Sequence, residues 1–244
     1  MRAEWICPDW PAPKHVRALS TTRTGGVSTG VYASLNLAEH VGDAPASVSE
    51  NRVHLQAGLA GARPGWLKQV HGTRVARLDG HAVPAPADAS VTSEPKQACV
   101  IMTADCLPVL FCDAKGTRVA AAHAGWRGLA AGVLEASLAE MQETPSQIMA
   151  WLGPAIGPKS YEVGEEVMRA FVEHDAAAAS AFSPGKVTGK WWCDLYTLAR
   201  QRLQAAGITR IYGGGYCTYT ERERFFSYRR DGECGRMATL VWLE

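Results

Sequence analysis

Several things are missing from this 244-residue chain, and each absence narrows its role. No apolar run is long enough to cross a bilayer, so a membrane-spanning protein is not expected. Charge of one sign is not in excess: the formal net charge is +1, too small to draw nucleic acid or an anionic membrane. None of the seven cysteines stands in a CxxC or CxxxxC pair, which excludes a zinc ribbon. An odd number of unpaired cysteines suits free thiols in a reducing compartment. The first residues, MRAEWICPDWPAPKH, have no apolar signal-peptide core, and a cytoplasmic location is the expectation. Internal repeats are absent, and the low-complexity stretch is confined to residues 176–181. What remains is ordinary globular composition, 47% hydrophobic and 20% charged. That supports one large core or two small ones.

Chemically capable residues concentrate in residues 102–128, MTADCLPVLFCDAKGTRVAAAHAGWRG. Residues 98–102, 107–111 and 117–122 are short apolar runs that read as strands. Cys106 lies in the turn between the first two runs, and His123 lies just beyond the third, before a glycine-flanked turn. The two are seventeen residues apart, enough for one strand, a turn and a return strand that sets them side by side. Residues 66–72 read as a strand feeding a turn that carries His71.

The rest of the chain alternates helix and strand without a linker. Helices are expected over 48–59, 128–143, 165–173 and 193–206, and strands over 147–152, 208–216 and 237–243. The 128–143 helix would bury Leu129, Val133, Leu134, Leu138 and Met141. Its first turn, Gly125-Trp126-Arg127-Gly128, would offer free N–H groups and Arg127 to an anion, or would simply cap the helix over a packed Trp126. Ser20-Thr21-Thr22-Arg23-Thr24-Gly25-Gly26-Val27-Ser28 is a glycine-rich polar loop, either a surface turn or a cradle in which Arg23 meets an anion. This mixture predicts a single-domain α+β fold over 1–244, mixed sheets covered by helices.

Two imidazoles and a thiolate from His71, Cys106 and His123 make a donor set of two nitrogens and one sulfur. Such a set suits zinc or copper and does not suit magnesium or calcium. Three protein ligands leave one tetrahedral position open, as catalytic zinc requires. Cys106 and His123 would equally serve as a nucleophile and its base, oriented by Asp105. A cysteine bound to zinc is not free to attack, so the two readings exclude each other, and sequence spacing leaves both open.

Six motifs then carry a resemblance. Thr24-Gly25-Gly26-Val27-Ser28, Lys68-Gln69-Val70-His71-Gly72, Thr103-Ala104-Asp105-Cys106, His123-Ala124-Gly125-Trp126-Arg127-Gly128, Gly153-Pro154-Ala155-Ile156-Gly157 and Phe226-Ser227-Tyr228-Arg229-Arg230-Asp231-Gly232 stand in the order and spacing of the YfiH-like family. That family is also called the polyphenol oxidoreductase, or laccase-domain, family. The resemblance covers nearly the whole chain. It implies a layered α+β sandwich related to a cytotoxic deamidase, with His71, Cys106 and His123 as metal ligands. It also implies a zinc-dependent purine nucleoside phosphorylase acting on adenosine, guanosine, inosine or methylthioadenosine, with adenosine deaminase side activity. Arg23, Lys68 and Arg127 are then the phosphate candidates, Asp105 and Glu162 the proton-relay candidates, and Tyr161 or Phe226 the rings that could stack on a base. The partners expected are purine nucleosides and phosphate, the assembly a monomer or homodimer.

Three alternatives attach to the same residues. They are a peptidoglycan-precursor hydrolase using Cys106 and His123 or an activated water, a copper-binding polyphenol oxidase, and a binding protein whose metal Cys217 would close as fourth ligand. A multicopper oxidase needs many histidines, usually in His-X-His pairs. This chain has seven and no such pair, which argues against full multicopper chemistry and leaves a single copper in place of zinc. His15, His40, His54, His81 and His174 are scattered and read as solvated or structural.

Overall fold

Strands β5 (Gln97–Thr103) and β6 (Leu107–Asp113) are buried at every position, so each needs cover on both faces. The computed structural model, which describes residues 5–80 and 86–244, shows what supplies it. Around these two strands the order is β1 (Val16–Ser20), α1 (Pro45–Ala57), β2 (Arg63–Gly65), β3 (Val75–Arg77) and β4 (Ala89–Thr92) before them. After them come β7 (Val119–Ala124), α2 (Trp126–Ala131), α3 (Val133–Met141), β8 (Ile148–Leu152), β9 (Glu162–Gly164) and α4 (Glu165–Val172). The chain continues with β10 (Phe182–Pro184), β11 (Lys190–Cys193), α5 (Leu195–Ala205), β12 (Arg210–Gly213), α6 (Tyr228–Asp231) and β13 (Met237–Leu243).

Two mixed sheets lie face to face. One has the order β12-β8-β6-β7-β4-β3, the other β1-β13-β5-β2; a small sheet, β10-β11-β9, stands apart. The two-residue period of each strand divides its side chains between layers. Cys99 and Ile101 of β5, Leu110 and Cys112 of β6, and Met237 and Val241 of β13 fill the space between the sheets. Val109 and Phe111 of β6 point the other way and pack with Leu129, Val133, Leu134 and Leu198 on α2, α3 and α5. Ala98, Val100 and Leu240 meet Leu55 of α1 on the opposite side. The result is helix, sheet, sheet, helix, the mixed α+β sandwich expected from the sequence. Among the described residues no helix is long and apolar enough to cross a membrane.

Two departures from expectation shape the site. Residues 66–72 form no strand, because the N–H groups of Val70, His71 and Gly72 are taken by a carboxylate instead of a neighbouring strand. The expected 128–143 helix is two helices, broken where Gly132 turns left-handed at φ 100°. The first, α2, has only six residues, too short to build the dipole that the sequence reading assigned to its N-terminus. The strand expected over 208–216 stops at Gly213, and the helix over 193–206 starts at Leu195, where Asp194 accepts the N–H groups of Tyr196 and Thr197. His81 and Pro84 lie outside the described residues.

Candidate metal centre

The β6–β7 hairpin pairs Leu107 with Ala124 and Pro108 with His123. Cys106, one residue before β6, therefore emerges beside the end of β7, where His123 sits. His71 comes from the loop opposite. Its ring stands 4.7 Å from that of His123, edge to face, and its Nε2 lies 3.9 Å from Cys106 Sγ. One ligand atom from each of His71, Cys106 and His123 falls within 4.8 Å of the other two. His123 is buried, Cys106 half-buried and His71 exposed. They line one end of a cavity of about 430 Å³.

The residue that organises this end is Asp88, a fully buried carboxylate that the sequence reading left without a role. Its Oδ1 accepts from His123 Nδ1 at 2.8 Å and from the His71 N–H at 2.8 Å. Its Oδ2 accepts from the Gly72 N–H at 2.7 Å and shares the Val70 N–H at 3.1 Å. One carboxylate thus fixes the ring of one histidine and the backbone of the other. It also holds His71 at φ 61°, a left-handed conformation that histidine rarely adopts. With Nδ1–H given to Asp88, Nε2 of His123 faces the cavity, and its lone pair becomes available there when the ring is neutral. Gln69 fastens the same loop to β5, donating to Met102 O and accepting the Met102 N–H.

A tetrahedral zinc would set N and S ligand atoms about 3.3–3.6 Å apart. The His71–Cys106 pair, at 3.9 Å, needs to close by only a few tenths of an ångström, while the widest separation in the group, within 4.8 Å, closes by about 1 Å through side-chain adjustment, and the fourth side opens on the cavity. Room for it depends on Gly125. A Cβ there would stand 3.0 Å from Cys106 Sγ, 3.0 Å from His71 Cδ2 and 3.6 Å from His123 Nε2. Gly125→Ala is therefore expected to fold normally but weaken metal affinity about tenfold, read by chelator competition. Unchanged affinity would show that the ligands have slack.

Burial pushes the Cys106 thiol up, but the neighbouring His123 and His71 imidazoles outweigh it and bring it down to about 6. Burial pushes His123 down, and the Cys106 thiolate and Asp88 outweigh that, carrying it up to about 9. Without metal the pair is a thiolate beside an imidazolium. A metal held here would need the thiolate and a neutral imidazole, so its uptake would expel the His123 proton. Metal affinity is expected to rise about tenfold per pH unit up to about 9 and then level off. A flat profile would mean that His123 is not a ligand.

The other residues read from the sequence go elsewhere. Asp105 does not orient His123. Its carboxylate accepts from Thr218 Oγ1 and from the Arg229 N–H, both at 2.6 Å, and so ties the Cys106 turn to the start of α6. Glu162 lines a separate cavity of about 390 Å³ with Arg127, Tyr161 and Arg229, and its carboxylate accepts the Lys186 N–H at 2.7 Å. Arg127 is exposed and lies over the Trp126 ring. Arg23 donates to Ala33 O through Nε and Nη2 and to Arg222 O through Nη1. Lys68 is exposed and does not line the cavity of the three ligand candidates. Phe226 is fully buried under Arg23 and offers no face to a ligand, while Tyr161 lies under Arg229. Cys217 accepts the Gly157 N–H at 3.2 Å and does not join the metal group. His40, read as solvated or structural, lines the cavity together with Tyr228 and Arg236.

Residues 17–244 match the family described as multi-copper polyphenol oxidoreductase laccase. The chain belongs to that family. The purine nucleoside phosphorylase PA4543 of Pseudomonas aeruginosa is 55% identical to it over 240 residues, 98% of each chain. The purine nucleoside phosphorylase YfiH of Escherichia coli is likewise 55% identical, over 98% of each. Among solved structures, Neisseria meningitidis NMB0706 superposes with a TM-score of 0.95 at 52% identity, covering 98% of this chain and 99% of its own. YlmD of Geobacillus stearothermophilus gives a TM-score of 0.87 at 32% identity, over 100% and 97%. The laccase-family description and the phosphorylase names of these relatives point to different chemistries. Among the described residues of this family member, the donor atoms that converge number two imidazoles and one thiol.

Proposed function

We propose that this protein is a zinc-dependent purine nucleoside phosphorylase, with adenosine deaminase activity as a side reaction. The observation that carries the reading is the convergence of His71, Cys106 and His123 at one end of an open cavity, in a chain whose full-length relatives bear the phosphorylase name. These three side chains are the proposed ligands. The substrates are purine nucleosides and inorganic phosphate. Zinc, when bound, supplies a Lewis acid at that end of the cavity.

The chain's own residues do the rest. Asp88 keeps the His123 tautomer and the His71 turn fixed, so the donor set needs no rearrangement when substrate arrives. The cavity holds the nucleoside with its anomeric carbon exposed to phosphate. A phosphate oxygen bonds to that carbon as the C–N bond breaks, and the bonding pair leaves with the purine. The transition state is oxocarbenium-like, so placement of charge matters more than covalent help. Asp105 and Glu162 were the proton-relay candidates. Asp105 acts instead by holding the Cys106 turn, and Glu162 faces the neighbouring cavity.

A second reading, a hydrolase with Cys106 as nucleophile, is favoured by the lowered Cys106 pKa and the nearby His123. Product analysis separates the two. Adenosine with phosphate is expected to yield adenine and ribose-1-phosphate at a rate that rises with phosphate. Inosine formed without phosphate reports the deaminase. Free ribose released equally fast without phosphate would replace the phosphorylase reading with a hydrolytic one.

A further inference from the structure

None of the three phosphate candidates read from the sequence, Arg23, Lys68 or Arg127, lines the cavity that holds the metal group. Two other basic residues do, His40 and Arg236. We propose that Arg236, with His40 beside it, forms the anion subsite of this cavity and binds the inorganic phosphate. The inference rests on the phosphorolysis reading above for its choice of anion.

Arg236 is a half-buried guanidinium that lies over the Tyr228 ring and is hydrogen-bonded at one end only. Its Nη1 donates to Cys234 O at 2.7 Å and to Gly235 O at 3.0 Å. Its Nε and Nη2 have no hydrogen-bond acceptor among the described residues, and no carboxylate there pairs with it. The acids nearest to it in sequence are engaged elsewhere, Asp231 with Arg230 and Glu233 with the Tyr32 hydroxyl, and Glu39, next to His40, pairs with Arg52. A guanidinium partly withdrawn from water, with two N–H directions free and no counter-ion, matches a doubly accepting anion such as phosphate.

The surroundings hold this arrangement in place. Asn36 Oδ1 accepts the Arg236 N–H at 3.0 Å and the Ala38 N–H at 3.0 Å, and Asn36 Nδ2 donates to Ala38 O. The segment leading to His40 and the first residues before β13 are thereby fastened to one another, although about 200 residues separate them. His40 makes no hydrogen bond among the described residues. Burial, and then the charges of Arg236 and Arg52, favour its neutral form, which keeps one N–H to offer. By contrast, the guanidinium of Arg23 is already engaged by backbone carbonyls, and Arg127 serves the other cavity.

The test is calorimetric titration of the zinc-loaded protein with inorganic phosphate, run beside base release from adenosine at varied phosphate. Wild type is expected to bind phosphate, R236Q to lose roughly 10- to 100-fold in affinity, and R236K, which keeps charge but not the fork, to lose about tenfold. Zinc content checks that each variant retains the site. If R236Q fails to fold, H40Q decides, with an expected loss of about threefold to tenfold. Phosphate bound as tightly by R236Q as by wild type, lost instead in R127Q, or not bound by wild type at all, overturns the proposal. Failure of the phosphorolysis reading looks different: phosphate binds in an Arg236-dependent way, yet base release from adenosine does not respond to it.

Discussion

Asp88→Ala is expected to lower the stability of the metal-free protein by about 3–5 kcal/mol, the usual cost of breaking a buried charged pair. The carboxylate accepts from three successive backbone N–H groups and from His123 Nδ1, all in a site without water access to Asp88 itself. Removing it strands those donors and releases the left-handed turn at His71. Asp88→Asn separates the two roles. An amide offers one acceptor oxygen and places an NH2 group against N–H donors, so the variant should keep its fold less securely and bind metal about 10- to 100-fold more weakly. Thermal unfolding and chelator competition read the two effects. The pH dependence carries a further signature. Burial pushes the Asp88 carboxyl up, but the His123 contact and the backbone N–H groups outweigh it and hold it below the usual carboxylate range. Its contribution is therefore present above the ordinary carboxylate pKa and is lost as pH falls through the lowered value. Wild type should lose stability in that acid window more steeply than Asp88→Asn. Metal affinity unchanged in Asp88→Asn would show that the imidazoles hold their positions without it.

Cys106→Ala is expected to abolish stoichiometric metal and nucleoside cleavage together while the metal-free protein still folds, its melting lowered only by the loss of the thiolate–imidazolium contact. The side chain is half-buried in a turn, and none of the hydrophobic clusters depends on it. Its loss removes the sulfur donor and leaves two imidazoles, a weak set for zinc. Cys106→Ser sharpens the result: a hydroxyl fills the space but is not a thiolate. Both readings of Cys106 predict lost activity, so metal content discriminates. Full metal in Cys106→Ala with no activity would take the thiol out of the ligand set and restore it as a nucleophile.

How much of this was legible beforehand follows from sequence distance. The Cys106–His123 pairing was readable because a hairpin joins them, and the hairpin's apolar strands and polar turn are local features. His71 was readable through its motif, although the strand expected around it was wrong. The apolar residues Trp66, Leu67 and Val70 suggest a strand, but a side-chain carboxylate claims the N–H groups that a strand would have used. Asp105 was assigned to His123 because it adjoins Cys106. At φ 97° its side chain turns the other way, towards Thr218 and Arg229. Asp88 takes that place because β4 pairs with β7, setting Ala89 opposite Ala122. A charged residue entering the otherwise uncharged segment Ala87–Thr92 was the signal available for it. His40 and Arg236 meet across nearly the whole chain through Asn36, and nothing local marks either.

X-ray absorption at the metal edge of the purified protein tests the central claim most directly. One sulfur at about 2.3 Å with two imidazole nitrogens at about 2.0–2.1 Å and one further light atom is the shell predicted for zinc held by His71, Cys106 and His123. A shell without sulfur, or one with two sulfurs, would contradict it.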